Sequence, residues 1–593
     1  MTTQALAVVE ENEVLSAFLA NSVLSLVLGG PGSGKTTGAL MKANRVLLNG
    51  DFHPFQQVLF LSFARSTVAR VAEAAGNLIS KPNLKRVELT TYHSFAWSLI
   101  RSHGYLLQSD PPIRLFPPHD ASAHLAEAAR GLRGEEASKR IDEECRRLLT
   151  EEGRLVFDRF AELAATLLER CDRLCRITSR RFPLIFLDEF QDTNVDEYRL
   201  VKCLGKNSRI IALADPEQRI YEFRGADPKR IEDYLRDFSP ETFDFAQRNH
   251  RSHGTDILTF ANDLLTQTNR DKCYSDVRVK TYPPRRGNDQ HLWMKTEVIG
   301  AINRAKSQQS EWSVAVLVPT KRMMLAVSEY LTGTQPINAV RALPPVFHDV
   351  GVDAEGPALA GVVIGRLLEC TTGSCDATAR VLVEDICRHI VGRKGGKPAS
   401  QSEVQLIDGL KAYLLQGKTK GVKRQRIVAD CSRIADAVAT TEFVGDPYAD
   451  WITVRNIFEA SEVEELRDVA LDAKFLKFLR KGAQLRMKLA ELWKSQRTYR
   501  GAADAVQNAF VQEHFVAKSA EPRGVHVMTI HKSKGKEFDE VVIYEGIHFD
   551  RIVRQPDDDY VVAQARLSLR VAVSRAKRKV TILTPQQKPC ELL

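Results

Sequence analysis

Two short stretches carry side chains whose types and spacing can handle a polyphosphate. In LSLVLGGPGSGKTTGAL, residues 24–40, an apolar run breaks into the pattern G-x-x-x-x-G-K-[ST], from Gly29 to Thr36. Gly29, Gly30, Gly32 and Gly34, with Pro31 and Ser33 between them, let backbone N–H groups curl around phosphate oxygens. Lys35 can then reach the β- and γ-phosphates, the Thr36 hydroxyl can ligate Mg2+, and Thr37 extends the binding turn. The second stretch, Pro183-Leu184-Ile185-Phe186-Leu187-Asp188-Glu189, runs apolar residues into two adjacent carboxylates. Downstream of a phosphate loop in the same sheet, Asp188 can hold the cation opposite Thr36. Glu189 can orient or deprotonate an attacking water.

Such groups need a sheet to hold them. Leu24–Leu28 reads as a buried strand and the residues after the loop as a helix start. Val58–Phe63 is strand-like and precedes a helix-patterned ARSTVARVAEAAGNLI, and Val87–Thr91 leads into Tyr92-His93-Ser94-Phe95. Strands alternating with helices predict a parallel sheet, whose ligands collect at the carboxyl ends of its strands. Phe63, Tyr92 and His93 fall at such ends. Residues 104–181 change character: prolines at 111, 112, 117 and 118 precede the charged helical GEEASKRIDEECRRLLTEE, read as a helical insertion. Residues 341–520 are also helical by pattern and read as an insertion in a second sheet domain, which closes only with strands near 527 and 540. Within them, KTKGVKRQR, residues 418–426, offers a basic grip for duplex phosphates or a partner; a solvated loop is the equal alternative.

The chain has 593 residues, more than one hydrophobic core accommodates, so several domains are expected. No apolar stretch is long enough to span a bilayer, and MTTQALAVVEENEV lacks the basic start and apolar core of a signal peptide. A cytoplasmic protein with no membrane partner is the expectation. The net charge of +9 leans slightly toward polyanionic partners. The ten cysteines are scattered without paired C-x-x-C sets, which argues for reduced structural thiols over zinc or iron–sulfur chemistry.

With DEFQDT at 188–193, the pattern becomes specific and resembles the D-E-x-Q-D signature of UvrD/Rep-like superfamily 1 DNA helicases. ADPEQRIYEFRGAD (214–227) is similar to that family's third motif, and RNHRS (248–252) to its N-Y-R-S element. SVAVLVPTKRMM (313–324) resembles the strand opening its second motor domain, VMTIHKSKGKEFDEVVI (527–543) its fifth motif and RVAVSRAKRKV (570–580) its sixth. The resemblance implies an α/β fold of two RecA-like parallel-sheet motor domains, each with a mainly helical insertion. The first would comprise 1–103 and 182–248 around the 104–181 insertion. The second would comprise 249–340 and 521–593 around 341–520. ATP with Mg2+ would lie between them, and hydrolysis would drive 3′-to-5′ movement on single-stranded or tailed duplex DNA.

On that resemblance Gln218 senses the γ-phosphate, and Arg251 and Arg575 are arginine fingers, a device worth roughly 10³–10⁵ in rate. Glu537 matches the glutamate that contacts the nucleotide, and His250 stands where a tyrosine usually stacks on adenine. Phe223 and Arg224 match an aromatic–arginine pair in the strand track, where each stacked base contributes about 1–3 kcal/mol. Phe63, His93, Thr529 and His531 line up with other track positions. Three departures bear on adenine specificity and fine coupling. Gln4 is the only glutamine before the phosphate loop, Lys536 stands where leucine is usual, and Arg566-Leu567-Ser568-Leu569-Arg570 replaces E-R-R-L-x-Y. The chain stops soon after Arg575, so any strand cutting is expected of a separate nuclease. The compact size and diverged insertions are similar to the helicase subunit of Gabija-type anti-phage systems, which gives the alternative of a DNA-stimulated regulatory ATPase.

Overall fold

A computed structural model describes residues 13–593 apart from 51, 64, 217–228, 246–251, 253, 285–290, 338–340, 352–354, 371–374, 394–399, 475–482 and 516–522. In chain order the strands are β1 (Ser25–Leu28), β2 (Val58–Ser62), β3 (Val87–Thr91), β4 (Arg114–Phe116), β5 (Arg154–Val156), β6 (Leu184–Leu187), β7 (Arg209–Ala214) and β8 (Glu241–Asp244). There follow β9 (Val277–Tyr282), β10 (Ser313–Val318), β11 (Gln335–Pro336), β12 (Ala342–Leu343), β13 (His348–Val350), β14 (Gly524–Thr529), β15 (Phe538–Tyr544) and β16 (Ala576–Pro585).

Two six-stranded sheets organise them, in the orders β3-β2-β6-β7-β1-β8 and β13-β14-β10-β15-β16-β9. Every pairing in both is parallel. The expected α/β fold with two parallel sheets is the one the chain forms. The central strands explain why: β6 (LIFL) and β10 (SVAVLV) are buried along their whole length, as strands covered by helices on both faces must be. Phe60 of β2 stacks on Phe186 of β6 with ring centroids 4.4 Å apart, which fixes neighbours in the first sheet. As read from the sequence, the second sheet closes only when β14 and β15 flank β10.

The chain divides into two compact units. One holds both sheets and comprises Met1–Trp97, Ala161–Gly351 and Ala517–Leu593; the other comprises Ser98–Phe160 and Val352–Val516. The helix Asp172–Arg181, which the sequence reading places in the first insertion, thus groups with the sheets. The two stretches rich in helical pattern meet in a single unit. Its core is a continuous apolar cluster that includes Ile364, Ile386, Leu410, Ile427, Ile434, Val454, Phe458, Leu489 and Val506. Each such side chain contributes roughly 1.5–3 kcal/mol on burial. Ser400 and Glu403 form a reciprocal cap on the helix Gln401–Gln416, and Asp446 caps Pro447–Glu459. The basic run 418–426 leads into the helix Val422–Ala439, where Lys423 pairs with Glu465 at 2.5 Å and Arg424 donates to the Gln405 carbonyl at 2.8 Å. No helix among the described residues is long and apolar enough to cross a membrane.

Candidate nucleotide and strand site

The phosphate loop turns between β1 and the helix Lys35–Leu48. Its shape depends on the absence of side chains: a Cβ on Gly29 would sit 2.5 Å from the Ser33 Oγ, and Gly34 adopts φ 87° at the helix cap. Lys35 is the first helical residue, and its ammonium donates to the Gly29 and Gly30 carbonyls at 2.6 and 3.0 Å, closing the loop on itself. Pro31 and Ser33 are buried, and Gly30, Gly32, Thr36 and Thr37 are half-buried around the turn. The helix has no side-chain cap and no acidic residue in its first turn. Its leading N–H groups and the positive end of its dipole therefore suit phosphate oxygens.

β6 lies between β2 and β7 and delivers Asp188 and Glu189 to the carboxyl edge of the sheet. Asp188 is 5% exposed. One of its oxygens accepts from the Glu189 amide at 3.1 Å, while Oδ2 is buried with no hydrogen-bond partner. Burial, then the Glu189 carboxylate beside it, pushes Asp188 well above the usual carboxylate range. Glu189 adopts the left-handed φ of 54°, uncommon for a residue with a Cβ. Burial raises it too, yet Lys534, Lys35, Arg575 and Arg70 together outweigh that and hold it ionised. Gln191 steadies it, donating to Oε2 at 2.7 Å, and accepts from the Asp215 amide at 3.0 Å.

Several of these cations come from the second sheet's half of the chain. Lys534, just after the short helix Ile530–Ser533, is 4% exposed; it hydrogen-bonds Asp192 and stands 3.5 Å from Glu189. Arg570 lies 3.8 Å from Asp215 at the end of β7. Arg575 is 1% exposed and is braced by the Val571 carbonyl and the Ser574 hydroxyl, each at 3.0 Å. Glu537 meets Arg70, from the first sheet's half, at 2.8 Å. The arrangement places an ionised carboxylate, the glycine-rich loop and cations from both sheets' halves within electrostatic reach of one another.

Of the residues picked out in the sequence, the structure thus brings Lys35, Asp188, Glu189 and Arg575 together. Phe63 follows β2, His93 lies in the helix Tyr92–His103 after β3, Thr529 ends β14, and His531 lies in the short helix after it. All four are half-buried at carboxyl ends of strands. Gln218, Phe223, Arg224, His250 and Arg251 lie outside the described residues. Sequence reasoning missed the parts played by Lys534, Asp192, Arg70 and Arg570, although all four sit inside strings already singled out.

Residues 11–152 and 132–239 match the UvrD/REP helicase N-terminal domain. The chain is 27% identical over 277 residues to the ATP-dependent DNA helicase Rep of Salmonella typhimurium, covering 40% of each chain. It is 29% identical over 295 residues to DNA helicase II of Haemophilus influenzae, covering 43% of this chain and 40% of that one. With the ATP-dependent DNA helicase PcrA of Staphylococcus aureus it shares 24% identity over 283 residues, 42% of this chain and 38% of that one. The chain thus spans about two fifths of the length of the curated relatives it matches.

Proposed function

We propose, for a chain that belongs to the UvrD/Rep-like superfamily 1 proteins, that it is an ATP-dependent DNA helicase or translocase acting on single-stranded DNA. The relatives named above are DNA helicases by name, Rep and PcrA ATP-dependent ones, and the matched region holds the phosphate loop and the Asp188-Glu189 pair. The observation that carries the reading is the convergence on Glu189 of Lys35 from the first sheet's half with Lys534 and Arg575 from the second's. When cations from both halves are needed at one carboxylate, turnover depends on how the halves meet, and strand movement can follow from that dependence.

The lobes are 1–103 with 182–248, and 249–340 with 521–593; the protein is cytoplasmic. ATP binds with its phosphates on Gly29 to Thr37 and Lys35. Glu537 and His250 lie against the rest of the nucleotide, and Gln218, Arg251 and Arg575 against its γ-phosphate. Glu189 orients the attacking water. A carboxylate held so far below its ordinary range is a better positioning group than proton acceptor, because efficient bases titrate near the working pH. The unpartnered, buried Asp188 Oδ2 at the end of β6 fits a hard cation, so Asp188 and the Thr36 hydroxyl would hold Mg2+. Mg2+ supplies charge neutralisation on the phosphate oxygens. Phe63, His93, Phe223, Arg224, Thr529 and His531 form the strand track, and movement is 3′-to-5′.

Glu189→Gln keeps the shape and removes the charge. It should leave ATP binding intact and lower DNA-stimulated phosphate release by about 10²–10⁴-fold; retained turnover removes Glu189 from its role. Displacement of a strand from a 3′-tailed but not a 5′-tailed duplex is the expected result for the active protein. Hydrolysis on DNA with no displacement from either substrate would sink the helicase reading.

A further inference from the structure

The cap on one helix carries a charge that capping does not need. Asn194 and Glu197 form a reciprocal capping box on the helix Val195–Gly205: the Glu197 amide donates to the Asn194 side chain at 2.9 Å, and the Asn194 amide to Glu197 Oε2 at 3.0 Å. Glutamine completes such a box as well as glutamate does. Glutamate adds a negative charge, and this one is fully buried, where an unpaired charge is costly. Its second oxygen, Oε1, is buried with no hydrogen-bond partner. That oxygen faces Nδ1 of His93 at 3.8 Å. The imidazole is 23% exposed, so one edge meets the buried carboxylate while the ring reaches solvent at the carboxyl edge of β3.

We propose that Glu197 is a positioning residue for strand binding, its buried carboxylate holding the His93 imidazole oriented and protonated for a DNA backbone phosphate. The proposal rests on the reading of His93 as part of the strand track. Other groups facing Glu197 are Asp192 in the loop before its helix, Asp196 on the helix itself, Arg230 on the helix Arg230–Phe238, and the Tyr92 hydroxyl beside His93. Arg230 is already engaged by Asp233 at 3.1 Å and by the Thr193 carbonyl at 3.3 Å, and the two aspartates add negative charge. Among these groups His93 is the one that can supply a cation in response to a phosphate. Burial pushes the Glu197 carboxyl up to about 7, where a cation brought 3.8 Å from Oε1 would favour its ionised form. A phosphate arriving on the outer face of the ring favours the imidazolium, and the imidazolium in turn favours the ionised carboxylate.

Glu197→Gln in the full chain tests this, since it preserves the cap and deletes the charge. An oligothymidylate is titrated into each protein across a salt series. The wild type should bind with strongly salt-dependent affinity. The variant should bind about fivefold more weakly at low salt, the size of one modest ion pair. Its log–log salt slope should be shallower by about 0.7, the signature of one lost phosphate contact on a single strand. The melting temperature should not fall, and His93→Asn should add no further loss in the Glu197→Gln background. A Glu197→Gln slope equal to wild type, or losses that add fully in the double variant, overturns the proposal. His93→Asn alone gives the same reading if the glutamine variant misfolds. Failure of the wild type to bind the oligonucleotide would instead refute the strand-track reading itself.

Discussion

The sheet-bearing unit and the helical unit bury different things. In the first, Asp188, Asp192, Glu197, Lys534, Arg570 and Arg575 are all nine-tenths buried or more, and Lys534 and Arg570 meet Asp192 and Asp215 across the two sheets' halves. In the second, the interior is dominated by one apolar cluster, and its buried carboxylates are satisfied by nearby donors of the same unit, as Asp385 is by Arg366 at 2.9 Å and Asp450 by the Tyr499 hydroxyl at 2.6 Å and the Val444 and Gly445 amides at 2.9 and 2.8 Å. Burying charge is expensive and contributes little net stability, whereas burying aliphatic side chains is the usual source of it. The contrast separates a region shaped for chemistry from one shaped for cohesion.

The largest expected effect that sharpens the contrast is Lys534→Met. It leaves Asp192 as an uncompensated buried charge and should cost about 3–5 kcal/mol, read by denaturant unfolding, with amide exchange accelerated around 188–193. Adding Asp192→Asn should recover much of that loss. A cost below about 1 kcal/mol for Lys534→Met would mean this pair does not join the halves. In the helical unit, Leu410→Ala should cost about 2–5 kcal/mol through the cavity it leaves. Phosphate release per folded molecule should be unchanged; a fall comparable to the stability loss would break the division between chemistry and cohesion.

The smallest effect is a pH dependence of opposite sign in the two units. In the helical unit Glu144 is held down at about 2, first by the Arg147 hydrogen bonds and then by His124. Its folded value lies below the unfolded one, so its contribution is present above about pH 4.5 and is lost as pH falls toward 2. In the sheet unit burial raises Glu197 to about 7, above its unfolded value. That term favours folding in acid and fades as pH rises from about 4.5 to 7. Local opening by amide exchange at several pH values should show Glu144→Gln flattening the acid side of one unit and Glu197→Gln the neutral side of the other. Identical pH profiles for the two variants would remove the contrast.

What could be read in advance follows the same divide. The phosphate loop and Asp188-Glu189 were legible because spacing within a few residues encodes them: glycines, a lysine at fixed offset, an apolar strand ending in acid. The two parallel sheets were legible from short buried runs such as LIFL and SVAVLV. The Lys534–Asp192 pair was not, because its members are 342 residues apart and only the fold brings them together. Glu197 was hidden differently, since in sequence it looks like an ordinary member of a helix's first turn. Nor could periodicity show that two helical stretches pack into one unit, since an amphipathic face does not name its partner.

The placement of β10 between β14 and β15 also sets a schedule for synthesis. A nascent chain exposes Val318 some 206 residues before Gly524, the first residue of one of its partners, arrives. At the usual 5–20 residues per second that is a wait of about 10–40 s, during which an apolar strand has neither neighbour. Through that interval the ribosome-bound intermediate carries an open edge suited to chaperone capture or to mispairing with another nascent chain. Recoding that slows translation between 319 and 523 should therefore lower soluble yield without altering a single side chain.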